Sequence, residues 1–192
     1  MKTYIAAPLF NESQIEIISS IEQILSSRGI DYYSPRIHSG SHLMNDEDRK
    51  NTDAWKAVFD SNVKALYDCE IMIAVLEYAM PKDRCLALIC WYMAGKYRMY
   101  MREWKEIELP DTGTVWEMGL FKALNKPVIG YHTNEAKQMN LMLTHSCEGF
   151  IKGLDQLEKF VRIDTSYPEH QLKRYFDMDM LSEWDTKNKG VE

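Results

Sequence analysis

The stretch Glu70-Ile-Met-Ile-Ala-Val-Leu76 constrains the fold more than any other part of this sequence. After Glu70 every position is apolar, whereas a strand with one wet face alternates apolar and polar residues. Such a run suits a parallel strand covered by helices on both faces. The flanking sequence supplies the partners. Residues 3 to 7 (Thr-Tyr-Ile-Ala-Ala) predict a first strand that Pro8, which lacks an amide donor, brings to an end. Asn11 is placed to cap a helix with Gln14 three residues on, Ile15, Ile18, Ile21 and Leu25 share one face, and Gly29 suits its end. Ile30 to Ser34 predicts a short second strand, and Ser39 to Asp53 a loop with the start of a helix. Ala54, Ala57, Val58, Ala65 and Leu66 mark the apolar face of that helix down to Asp68. Beyond the third strand, Val115 to Leu124 predicts a helix and Lys126 to Tyr131 a fourth strand. Phe150-Ile151 begins a short fifth, and Leu154, Leu157, Phe160 and Val161 a further amphipathic helix. Strands alternating with helices predict an α/β domain, a doubly wound parallel five-stranded sheet flanked by helices.

One stretch breaks the alternation. Glu77 to Pro110 is too long for an ordinary connection and is rich in aromatic and methionine residues set among Arg and Lys. It predicts a helical insertion at about 79–109, with a helix from about Asp83 to Lys105 that serves as an oligomer contact, as a cover over the site, or simply packs on its own domain. The expected organisation is a domain over 1–164 that includes the insertion 77–110, followed by a polar extension over 165–192 with a helical turn or two between Tyr175 and Trp184.

Composition narrows the function. A chain of 192 residues suits one domain, and a net charge of -6 without a basic run argues against a nucleic-acid polymer as partner and for small-molecule substrates. Cys69, Cys85, Cys90 and Cys147 form no CxxC pair, so reduced thiols and no metal site are expected. The five histidines form no triad with a plausible nucleophile. No secretory leader or long apolar span is visible, which predicts a cytoplasmic protein without a membrane partner.

In an open parallel sheet, ligands bind beyond the carboxyl ends of the strands. The segment Asp111-Thr-Gly-Thr-Val-Trp-Glu-Met-Gly119 feeds a helix at that end. Gly113 permits tight backbone geometry, and the spacing places Glu117 near the first turn, where the positive end of the helix favours an ionised carboxylate. A partly desolvated Asp111 beside it suits holding or relaying a proton. Cleavage of a glycosidic bond needs that division of labour, one group meeting the sugar carbon while the other protonates the leaving group. Equally open from spacing alone is a structural role in which Asp111 and Thr114 cap the helix and Glu117 completes a capping box with Thr114. Phosphate binding at this helix start is disfavoured, because Gly113 stands alone between two carboxylates.

Together with Tyr4-Ile-Ala-Ala-Pro-Leu-Phe10, the passage from Val58 to Leu66 into Glu70 to Val75, and Asn140-Leu-Met142 before Phe150-Ile-Lys-Gly-Leu, this segment resembles the nucleoside 2-deoxyribosyltransferase family over most of residues 3 to 162. The resemblance implies a flavodoxin-like fold. It implies transfer of 2-deoxyribose between nucleobases through a covalent glutamyl-sugar intermediate, with a 2'-deoxynucleoside and a free nucleobase as small-molecule partners and no metal or organic cofactor. Carried over by position, Glu117 is the nucleophile, Asp111 binds the base and passes it a proton, Tyr4 orients Glu117, and Phe10 stacks along the base. Asn140 and Met142 reach in from a neighbouring chain, implying a homo-oligomer with shared active sites. Read without the resemblance, Tyr4 and Met142 are core residues, Phe10 a loop anchor and Asn140 a cap or turn residue. The chain departs from the family at Asn62, where an aspartate usually meets the substrate, and in its insertion and tail.

Three alternatives stand beside this reading. A hydrolase of the same superfamily acting on deoxynucleoside 5'-monophosphates would need phosphate ligands, for which Ser34, Arg36, Ser39 and Ser41 are placed. A phosphoribohydrolase would carry a Pro-Gly-Gly-x-Gly-Thr loop, but Pro110-Asp-Thr-Gly-Thr114 lacks the paired glycines. A non-catalytic nucleotide-binding module would keep the fold without turnover.

Overall fold

The computed structural model describes residues 1–39, 52–77, 110–133, 141–181 and 184. Five strands, β1 (Lys2–Ala6), β2 (Asp31–Tyr33), β3 (Ile71–Val75), β4 (Val128–His132) and β5 (Gly149–Lys152), form one sheet in the order β2-β1-β3-β4-β5. All four pairings are parallel. This is the flavodoxin-like order, in which the chain winds first to one side of β1 and then to the other. The helices are α1 (Glu12–Ser27), α2 (Pro35–His38), α3 (Thr52–Asp68), α4 (Thr112–Ala123), α5 (Leu141–Ser146) and α6 (Gly153–Phe160).

Every residue of β3 and β4 is buried, as expected for strands covered on both faces. Alternate side chains point to opposite faces and build two cores. On one face Ile5, Ile73, Val75, Ile129 and Ile151 meet Ile18, Ile21 and Leu25 of α1 and Leu157 and Phe160 of α6. On the other, Tyr4, Ala6, Met72, Ala74 and Val128 meet Ala65 and Leu66 of α3 and Met118 and Phe121 of α4. Each of the isoleucine, leucine, valine, methionine and phenylalanine side chains among them contributes roughly 1.5–3 kcal/mol when fully buried. Gly130 of β4 lies opposite Phe150 of β5, and a β-carbon there would meet that ring at 2.4 Å, so glycine makes room for the buried phenyl group.

Local signals place most elements. Asn11 caps α1, its Oδ1 accepting from the Gln14 amide at 2.9 Å, and Gly29 follows the helix at φ +67, a conformation glycine adopts without a Cβ penalty. The structure adds α2, which the sequence reading passed over: Pro35 at its first position pre-sets the helical φ. It also adds α5, and it starts α4 three residues before the expected Val115. The amino half of α3 is wetter than its pattern suggested, for only Ala65 and Leu66 of the helix are buried while Trp55 and Phe59 are exposed. At the far end of α3 the Lys126 ammonium donates to the carbonyls of Leu66, Tyr67 and Cys69 at 3.0, 2.6 and 2.6 Å. A cation there satisfies carbonyls that the helix leaves open and complements its dipole.

The insertion over 79–109 lies outside the described residues. Within the expected polar extension, Phe176 and Leu181 are fully buried in the core, and Val161 pairs with Phe176 in an antiparallel bridge. Among the described residues no helix is long and apolar enough to cross a membrane.

Candidate active site

Helix α4 leads into β4 from the carboxyl side of the parallel sheet and so runs against the strand direction. Its amino end lies over the carboxyl ends of the strands, where an α/β sheet binds ligands. Asp111 sits at that end and Glu117 in the second turn, facing the sheet. The same end carries the loop after β1 and a clasp between the strand ends of β3 and β4, where Glu77 Oε1 accepts from the Thr133 amide and hydroxyl at 2.6 and 2.5 Å.

Glu117 makes one decisive contact. The Tyr4 hydroxyl, on the central part of β1, donates to Glu117 Oε1 at 2.6 Å. Tyr4 is fully buried, and its phenol is pushed well above its ordinary range, first by burial and then by the neighbouring carboxylate, so it remains a proton donor. Glu117 is only partly buried, yet loss of water raises its carboxyl to about 7. The Tyr4 hydrogen bond opposes that rise and the charge of Asp111 adds to it. The expectation of a carboxylate held ionised by the helix start is therefore corrected: Glu117 lies past the first turn, and desolvation wins over the helix dipole, whose influence fades within that turn.

Asp111 is the cap of α4. Its Oδ2 accepts from the Thr114 amide at 2.7 Å and from the Thr114 hydroxyl at 3.0 Å. The carboxylate folds over Gly113, where a β-carbon would approach the same oxygen to 3.0 Å. The expected capping box does not close, because Glu117 turns to Tyr4 and leaves Thr114 to Asp111.

Beside Tyr4 lies a residue the sequence reading missed. Tyr33 of β2 is the registered neighbour of Tyr4 on the adjacent parallel strand, and the two rings stack with centroids 5.6 Å apart and planes 16° apart. The Tyr33 hydroxyl bonds to Ser61 Oγ at 2.9 Å and donates to Asn62 Oδ1 at 3.0 Å. Asn62 of α3 is thus joined to Glu117 of α4 through two tyrosines. On the outer side Phe59 and Trp116, both about half exposed, bring α3 and α4 together with ring centroids 5.6 Å apart.

The family model for nucleoside 2-deoxyribosyltransferases matches residues 3–152, which include every element of this site. The chain belongs to the nucleoside 2-deoxyribosyltransferase family. Among solved structures, a 2-deoxyribosyltransferase from the psychrotolerant bacterium Bacillus psychrosaccharolyticus is similar, with a TM-score of 0.57 and 24% identity, covering 86% of this chain and 94% of its own. A conserved protein from Enterococcus faecalis V583 has a TM-score of 0.51 at 16% identity, covering 83% and 95%. At these identities both relate to this deoxyribosyltransferase-family chain by fold. No curated protein sequence matches the chain.

The other candidate residues of this family member fall differently. Phe10 is 64% exposed in the loop after β1, its amide donating to Gln14 Oε1 at 2.9 Å. Met142, on α5, is 74% exposed. Asn140 lies outside the described residues. Of the groups that would hold a nucleotide phosphate, Arg36 is paired with the buried Glu22, Nε to Oε1 at 3.2 Å, and the Ser39 hydroxyl donates to the Pro35 carbonyl at 2.7 Å. Ser34 is buried with no hydrogen bond to its hydroxyl among the described residues, and Ser41 lies outside them. Cys69 and Cys147 are both buried, and no three potential metal ligands gather among the described residues.

Proposed function

We propose that this chain exchanges the base of 2'-deoxynucleosides, transferring 2-deoxyribose to a second nucleobase through a covalent bond to Glu117. The observation that carries the reading is the 2.6 Å hydrogen bond from Tyr4 to Glu117, a carboxyl held near neutrality at the carboxyl end of the sheet. In the first step an ionised Glu117 oxygen bonds to the anomeric carbon. The glycosidic C–N bond breaks, its electron pair leaves with the base, and Asp111 delivers a proton to that base. In the second step a ring nitrogen of the incoming base attacks the same carbon, the Glu117 ester bond breaks, and the proton lost by the incoming base returns to Asp111. Two displacements retain configuration, and neither step as written calls on a cofactor.

Tyr4 contributes a fixed hydroxyl that keeps one carboxylate oxygen engaged and leaves the other for the sugar. Phe10, exposed on the loop after β1, supplies a face for the base, and Asn62 a hydrogen-bonding group toward the sugar. The exposure of Met142 supports a site completed from a neighbouring chain, with Asn140 beside it in sequence. The engagement of Arg36 by Glu22 favours a nucleoside over a 5'-monophosphate donor.

The deciding experiment incubates the protein with thymidine or deoxyinosine plus adenine and follows deoxyadenosine by chromatography, with Glu117→Ala as control. Deoxyadenosine from the wild type and none from a folded variant is the expected result. Full exchange by the variant overturns the role of Glu117, free base alone means hydrolysis, and turnover restricted to deoxynucleotides overturns the choice of donor. Shared sites also require that specific activity fall on dilution to the monomer; an active monomer rules them out.

A further inference from the structure

The Tyr4 hydroxyl must be aimed to within a hydrogen bond's tolerance, and its own backbone does not achieve this, since a phenol ring can turn about two side-chain bonds. The restraint on those turns comes from the next strand. Tyr4 and Tyr33 are registered partners, so their side chains leave the same face of the sheet side by side. Their rings stack at 5.6 Å and 16°, and His38 of α2 stacks on the far side of Tyr33 at 5.0 Å and 23°. Tyr33 is itself moored at its tip, by Ser61 and Asn62. Three aromatic rings in a column, the middle one pinned by α3 and the first ending on Glu117, leave Tyr4 little freedom to swing away.

We propose that Tyr33 is a positioning residue for Glu117, acting through the stack on Tyr4 and held in turn by Asn62. This gives Asn62 a second task besides any contact with the sugar: its Oδ1 is engaged by the Tyr33 hydroxyl, so the helix that carries it sets the aim of the carboxylate on α4. The inference rests on Glu117 being the working carboxylate, but its effect is readable without turnover. The Tyr4 hydrogen bond lowers the carboxyl that burial raises, so any loss of aim lets Glu117 titrate at higher pH. Asp111 supplies the other charge acting on that carboxyl, and none of the substitutions below alters it.

The test is carbon-13 NMR titration of the glutamate side-chain carboxyls of the full chain, with Glu117 assigned by its disappearance in Glu117→Gln. Tyr33→Leu should raise the Glu117 midpoint in the direction of Tyr4→Phe, and the double variant should titrate no higher than Tyr4→Phe alone, because both act through one bond. Tyr33→Phe, which keeps the stack, should shift it less than Tyr33→Leu. Asn62→Ala, at a partly exposed position, should move the midpoint in the same direction and decides the matter if Tyr33→Leu does not fold. Wild-type midpoints in folded Tyr33→Leu and Asn62→Ala, or shifts that simply add to that of Tyr4→Phe, overturn the proposal. Absence of base exchange in the wild type would overturn the reaction proposed above while leaving these titrations readable, so the two failures are distinct.

Discussion

Tyr4 and Glu117 are 113 residues apart in the chain and share a hydrogen bond of 2.6 Å. The phenol stays protonated because it is fully buried beside a negative charge, and the carboxyl stands near neutrality because it has lost water. Each group holds the other in the state that the bond needs. A hydrogen bond to a charged group in such surroundings contributes about 1.5–3 kcal/mol, and here that energy aims Glu117 and favours its ionised form against the larger effect of burial.

The first consequence concerns pH. An attacking carboxylate must be ionised, so kcat/KM should fall as pH drops through about 7, close to tenfold for each pH unit below it. In Tyr4→Phe the bond that lowers the Glu117 carboxyl is gone, and the acid limb should move to higher pH. A pH–rate profile of wild type and variant reads this directly; an acid limb near the ordinary carboxylate value of 4.5 in the wild type contradicts it.

The same displaced carboxyl bears on stability. Between 4.5 and about 7 the folded state holds a proton at Glu117 that the unfolded chain releases, so stability falls as pH rises through that window. Glu117→Gln keeps the shape and the acceptor for Tyr4 without the charge. It should be more stable than wild type at pH 8 by on the order of 1–3 kcal/mol, with the gain gone below 4.5. Urea denaturation at pH 8 and pH 4 checks this, and an equal difference at both values is the contrary outcome.

Asp111 has two tasks that one pair of variants separates. Asn caps a helix as well as Asp does, so Asp111→Asn should keep the stability of the wild type, whereas Asp111→Ala should lose about 1 kcal/mol with the bonds to Thr114. An amide cannot pass a proton to the leaving base, and exchange by Asp111→Asn should drop by roughly 10²–10⁴. Its remaining activity should show an acid limb at lower pH, because the Asp111 charge that helps raise Glu117 is removed. Thermal melts and the base-exchange assay on the two variants suffice, and near-normal exchange by Asp111→Asn excludes it as the proton donor.

Much of this molecule is visible in its sequence for local reasons. The unbroken apolar run of β3, the alternation of strand and helix, the Asn11 cap and the Gly29 turn are all set by neighbours in the chain, where hydrophobic period and backbone preference act. So is the juxtaposition of Asp111 and Glu117, which one helix carries. The helix Pro35–His38 escaped because four residues are too few for a period to show, and α4 began early because Asp111, not Thr114, is its cap, its carboxylate accepting from the Thr114 amide. The pairing of Tyr33 with Tyr4, the bond from Tyr4 to Glu117 and the upward displacement of Glu117 depend on strand register and on which atoms a helix packs against. Sequence by itself determined a covered parallel α/β sheet with two carboxylates near one helix start. Only the tertiary structure decided which carboxylate loses its water and which hydroxyl answers it, because desolvation is a property of atoms brought together from distant parts of the chain.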